Sequence, residues 1–211
     1  MSNDQKHLPG WCNRTLQGLV YWIGHRCALY NGHHLTEGAL VAEACNLIYA
    51  NLHDNQDLRC EVQYSQLLPH KLPDCLRHNS VADLVIVEAA TGTKTKEPGG
   101  LFAKVSAVIE VKRANAGKKL IEDDIERLTA LKGASKHFNP DLRTFLLLVS
   151  EAKLPRRFVR GDGTAVRGNL KVANPRIPGS YFRVKRVCKA AHSFRRKELA
   201  HFACIIEVFN G

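Results

Sequence analysis

Apolar side chains recur at Leu16, Leu19, Val20, Ile23, Cys27 and Tyr30, the three- and four-residue spacing of one helix face over residues 15–30. Gln17, His25 and Arg26 interrupt the run, so it predicts a helix packed on a core and not a membrane span. The stretch 31-NGHH-34 breaks it. A second helix is predicted from an N-cap at Thr36 to about Leu52, with Leu40, Val41, Ala44, Leu47 and Ile48 on its apolar face. Leu35 and Leu40 are spaced as a flanking hydrophobic staple.

The period then changes. Segments 59–68, 82–89 and 106–114 read as three strands, with a Gly-, Lys- and Thr-rich loop at 91–101 before the third. A helix is predicted over 118–136, with Leu120, Ile121, Ile125, Leu128 and Leu131 as its buried stripe and its acids outward. Segment 143–151 is almost wholly apolar, as a strand covered on both faces would be. Residues 152–180 are rich in Gly, Pro, Arg and Lys and predict loops with a short hairpin. Strands at 181–189 and 201–209 close the chain, with a helical turn at 193–200 between them.

Strand, helix, strand over 106–151 suggests a crossover unit and a parallel pair. The shorter links before it suit antiparallel pairing. The expected fold class is α/β, a mixed sheet flanked by helices. With 211 residues and 45% hydrophobic content, one domain with a sizeable core is expected. It divides into an N-terminal helical segment (1–34), an αβββαβ core (35–151) and a basic C-terminal extension (152–211).

Charge sharpens the division. Residues 1–150 carry 17 Lys/Arg and 16 Asp/Glu, whereas residues 151–211 carry 14 and 4. Almost all of the +11 net charge therefore sits in the last 61 residues. Such a surface calls for a polyanion, and nucleic acid is the expected partner. The bland alternative is a solvated basic face; a membrane surface is disfavoured because the region has no single amphipathic helix. The seven cysteines form no CxxC pair and the first ten residues are polar, which reads as reduced thiols in a cytoplasmic protein. Cys12, His25, Cys27, His33 and His34 cluster in sequence, but their spacing fits no standard zinc pattern.

The third strand carries the candidate chemistry. Alternation puts Glu110 and Lys112 of 107-AVIEVKRA-114 on one face. Burying both is costly unless they are paired or hold something. An ion pair at a strand end is the plain explanation. If the neighbouring strand pairs as a meander, however, Asp83 converges on Glu110. Two carboxylates beside a lysine suit a hard divalent cation and an activated water.

Asp83 followed by Glu110-Val111-Lys112 resembles the bipartite signature of the PD-(D/E)XK nuclease superfamily, and the element order over about residues 35–150 resembles its restriction-endonuclease-like core. Ala82 stands where the signature has proline, 26 residues separate the two acids, and the Gln-rich helix motif of the RecB-like exonucleases is absent. The resemblance implies that Asp83 and Glu110 bind Mg²⁺, with Mn²⁺ as substitute, and that Lys112 attends the attacking water or the phosphate charge. It also implies a further metal-binding glutamate from the first core helix, for which Glu37 is the candidate ahead of Glu43. As a first-turn acid, Glu37 also complements the helix dipole.

Arg113, Lys118 and Lys119 follow the third strand, and Arg156, Arg157, Arg160, Arg167, Lys171 and Arg176 lie in the basic tail; all are candidate phosphate contacts. Phe158 and Tyr181 are candidate base-stacking residues, with core packing as their ordinary role. The expected activity is metal-dependent hydrolysis of phosphodiesters, on double-stranded DNA in first place, with a homodimer favoured for double-strand cutting. An RNA-directed nuclease and a non-catalytic nucleic-acid-binding module are the alternatives. A structural protein with a fortuitous charge pair comes last.

Overall fold

The computed structural model describes residues 7–30, 33, 35–68, 72–74, 76, 79–88, 101–151, 153–172, 179–190 and 200–210. Helix α1 spans Gly10–Leu29 and α2 spans Glu37–Tyr49. Strand β1 is Gln56–Gln63, followed by a 3-10 turn at Tyr64–Gln66; β2 is Val81–Glu88 and β3 Val105–Arg113. Helix α3 (Lys118–Ser135) leads to β4 (Arg143–Ser150), β5 (Leu170–Lys171), β6 (Ser180–Ala190) and β7 (His201–Asn210).

The seven strands among the described residues join one mixed sheet in the order β1-β2-β3-β4-β7-β6-β5. The β1-β2-β3 meander is antiparallel and β3 runs parallel to β4 across the α3 crossover, as the link lengths require. The strands of the basic C-terminal extension join the same sheet: β7 pairs with β4 and lies inside it.

Two apolar layers cover the sheet. On one face Leu16, Leu19 and Ile23 of α1 and Leu40 and Ile48 of α2 pack with Ile86, Ile109, Val111, Phe145 and Leu147. On the other, Ile125, Leu128 and Leu131 of α3 pack with Val108, Leu146, Leu148 and Ile206. Each such aliphatic side chain contributes roughly 1.5–3 kcal/mol when fully buried. β4 is covered on both faces, which explains its unbroken apolar run.

A local signal accounts for the start of α2. Thr36 caps α2 by accepting a hydrogen bond from Ala39 N at 3.2 Å, and Leu35 and Leu40 are buried in the same core. A small hairpin forms in the Gly/Pro-rich segment, where Val159 bridges Ala165.

Several expectations are corrected. Leu120 is 51% exposed, because α3 turns Ile121 and Asp124 inward instead. The acids of α3 are therefore not all outward: Asp124 is 1% exposed. Tyr30 lies past the end of α1 and is exposed. The first strand ends at Gln63, five residues short of the expected limit at 68, because the chain turns at Tyr64. The 91–100 part of the expected loop, His34, Arg176 and residues 193–199 fall outside the described residues.

Candidate active site

Asp83 sits where β2 and β3 part. The β1-β2 ladder pairs Cys60 with Leu84 and then Val62 with Ala82, skipping Glu61, which has φ of 52°. The β2-β3 ladder starts only at Leu84 and Ile109. Asp83 is thus paired on neither side. Its Oδ2 instead accepts the backbone N–H of Val111 at 2.7 Å, so a side chain completes the opening between the strands.

This bond ties Asp83 to the strand segment that carries Glu110 and Lys112. The two carboxyls are close enough that the charge of Asp83 disfavours ionisation of Glu110. Glu110 is 2% exposed, and its Oε1 accepts the Tyr64 hydroxyl at 2.6 Å and Arg127 Nε at 3.4 Å. Arg127 also pairs with Asp124, one helical turn earlier on α3. Lys112 Nζ lies 2.7 Å from Glu37 Oε1 and 3.3 Å from Asp124 Oδ2. Six ionisable side chains from α2, β2, β3 and α3 therefore form one network, with Tyr64 as its neutral donor.

Burial pushes the Glu110 carboxyl up to about 8, and the charge of Asp83 adds to the effect. Asp83 is raised too, by burial, against the pull of the Val111 amide. Asp124 is raised by burial although Arg127 and Lys112 oppose it. Burial would depress Lys112 and Arg127, but Glu37 and Asp124 raise the first and Glu110 and Asp124 raise the second. Both cations stay charged and both central carboxyls resist ionising together.

The four predicted catalytic residues, Asp83, Glu110, Lys112 and Glu37, are thus brought together, the last through its bond to Lys112. Sequence reasoning missed Tyr64, Asp124 and Arg127. The signal for the last two was their position on α3: Asp124 falls between Ile121 and Ile125 in the buried stripe, and Arg127 follows at i+3.

With all groups ionised, four carboxylates face two cations, an excess of two negative charges. A divalent cation balances that sum, and the oxygen-only donor set suits Mg²⁺ or Mn²⁺. Among the described residues, no group of three or more His, Cys, Asp or Glu side chains is already arranged to hold a metal ion. Two carboxylates still fit Mg²⁺, which commonly keeps several waters and binds through one or two carboxylates plus substrate phosphate.

The candidate phosphate contacts separate into groups. Lys118 and Lys119 are exposed at the start of α3. Arg156, Arg160, Arg167 and Lys171 are exposed in the tail. Arg113 is engaged instead, with its Nη2 2.8 Å from Glu151 Oε1. Arg157 pairs with Glu122 of α3 and lies over the Phe158 and Phe182 rings, at 5.2 and 5.0 Å. Phe158 is 2% exposed and belongs to the core, which removes it as a base-stacking residue. Tyr181 is half-buried and stacks on Phe209. No helix among the described residues is long and apolar enough to cross a membrane.

Compared with protein-family models, with curated proteins and with solved structures, the chain finds no match in any of the three.

Proposed function

We propose that the protein is a divalent-metal-dependent nuclease of restriction-endonuclease-like fold that hydrolyses phosphodiester bonds in DNA. The observation carrying this reading is the convergence of Asp83, Glu110 and Lys112 at the splayed end of β2 and β3, reached by Glu37 from α2. A packed core has no need of four acids around one lysine and one arginine. The order of elements and the antiparallel-then-parallel pairing also support it.

In this reading Asp83 and Glu110 hold Mg²⁺, with Mn²⁺ as substitute. An ion held there would supply Lewis-acid activation of water and would neutralise phosphate charge. Lys112, kept protonated and oriented by Glu37 and Asp124, positions the attacking water or stabilises charge developing on the phosphate. Tyr64 and Arg127 fix the Glu110 carboxyl group. Lys118 and Lys119, with Arg156, Arg160, Arg167 and Lys171, supply sequence-independent phosphate contacts. One such site cuts one strand, so double-strand cleavage calls for a homodimer.

A binding module without catalysis is the competing reading. It draws on the two donors that already occupy Glu110 Oε1. The test is a cleavage panel on supercoiled plasmid, linear duplex, single-stranded DNA and RNA with Mg²⁺. Cutting of DNA supports the proposal, and cutting of RNA alone moves the substrate to RNA. Metal-independent binding without cutting of any substrate favours the module.

A further inference from the structure

Away from the carboxylate network, α2 and edge strand β1 bring two thiols together: Cys45 Sγ and Cys60 Sγ are 3.3 Å apart. Both are free cysteines, Cys45 half-buried and Cys60 exposed. Their setting differs from that of Cys12 and Cys204, which lie in the core with thiols pushed up to about 12 by burial. A core thiol of that kind is inert. The α2–β1 pair opens to solvent, and its two sulfurs are already in contact.

We propose that Cys45 and Cys60 are a redox modification site, forming a reversible disulfide that clamps α2 to β1. The oxidant class is a small-molecule disulfide. The exposed Cys60 gives up its proton and attacks one sulfur of the oxidant, forming a mixed disulfide and expelling one thiolate. Cys45 then gives up its proton and attacks Cys60 Sγ, breaking the mixed disulfide and expelling the second thiolate. Two protein thiols are oxidised, one small disulfide is reduced to two thiols, and the two protons pass to those products. Closing the bond shortens the sulfur separation to about 2.05 Å, a small movement for two packed elements.

Burial and the hydrogen bond with Cys45 push the Cys60 thiol up to about 11, so its thiolate is scarce at neutral pH. The exchange is therefore slow near pH 7 and accelerates as pH rises. The clamp has a direct structural reach. α2 carries Glu37 in its first turn, and β1 runs into Tyr64. A covalent link between them joins the elements that deliver Glu37 to Lys112 and Tyr64 to Glu110. The inference stands on the thiol geometry alone and not on the nuclease reading.

The test treats the full chain with oxidised glutathione at pH 8.5, followed by blocking of remaining thiols and peptide mapping by mass. The expected product has lost about 2 Da, contains a Cys45–Cys60 cross-linked peptide, and returns to the starting mass with dithiothreitol. The closed loop raises the melting temperature by roughly 5–10 °C. Cys45→Ser and Cys60→Ser each abolish both the cross-link and the shift. Blocking of Cys45 and Cys60 to the same extent before and after oxidation overturns the proposal. So does a stable glutathione adduct on Cys60 that never resolves to the internal bond.

Discussion

The Tyr64 hydroxyl donates to Glu110 Oε1 at 2.6 Å across a sequence gap of 46 residues, and both side chains are buried. The bond joins the 3-10 turn after β1 to the middle of β3, so the edge of the sheet reads out the state of its central carboxyl. It is also one of the few influences that oppose the upward push on Glu110. Removing it tests the network without removing any charge. Tyr64→Phe is expected to destabilise the protein by about 0.5–1.5 kcal/mol at neutral pH, where Glu110 holds its proton, and by about 1.5–3 kcal/mol above about pH 8, where the acceptor is charged. It should also raise the Glu110 pKa further. Urea denaturation measures the first effect, and the pH profile of any cleavage activity, moved alkaline, measures the second.

Stability should fall with pH in a defined window. Glu110 is raised from its ordinary value of 4.5 to about 8 in the folded state. Between those values the folded protein binds more protons than the unfolded chain, so stability is lost as pH rises through about 8. His201 opposes this at lower pH: burial depresses it below 6.5, so its contribution increases up to that value. The clean window is therefore from about 6.5 to about 8. In EDTA, denaturation midpoints should drop across it with a slope of up to ~1.4 kcal/mol per pH unit. Glu110→Gln should flatten the slope.

Arg127 is the internal counter-charge to two acids, Glu110 and Asp124. Arg127→Ala leaves both without it and should cost about 3–5 kcal/mol. Arg127→Ala with Asp124→Asn should recover part of that loss, because one orphaned carboxylate is removed. A double-mutant cycle by denaturation reads the coupling.

The basic residues should divide by what they already touch. Lys118→Ala and Lys119→Ala are each expected to weaken nucleic-acid binding and reduce the slope of log K against log salt by about 0.9. Arg113→Ala and Arg157→Ala, whose partners are Glu151 and Glu122, should act mainly on stability. Binding titrations at several salt concentrations beside melting curves separate the two groups.

The elements were legible because their periods are clean. The apolar spacing of α2, the cap at Thr36 and the unbroken run of β4 each carry a local physical signal. Glu110 and Lys112 stood out because an acid and a lysine among apolar neighbours demand partners; Asp83 was reached through the expected meander, and Glu37 only through the family resemblance. Asp124 was not legible, since an acid on a helix reads as solvent-facing until its partners are known. Those partners, Lys112 and Arg127, lie on another element and one turn away. Tyr64 hid for a related reason: alternation carried the strand reading through it, while the chain turns there and delivers its hydroxyl to Glu110. Long-range pairing of this kind leaves no period in a single sequence.

The most direct test compares nicking of a supercoiled plasmid by wild-type protein, Asp83→Asn and Lys112→Met, each with Mg²⁺ and with EDTA. All three substitutions of condition and side chain act on the same proposed centre. The account predicts cutting by the wild type with Mg²⁺ only, and a loss of at least about a hundredfold in each variant, as when a preorganised electrostatic group is removed. Cutting that persists in EDTA, or survives in Asp83→Asn, would contradict it.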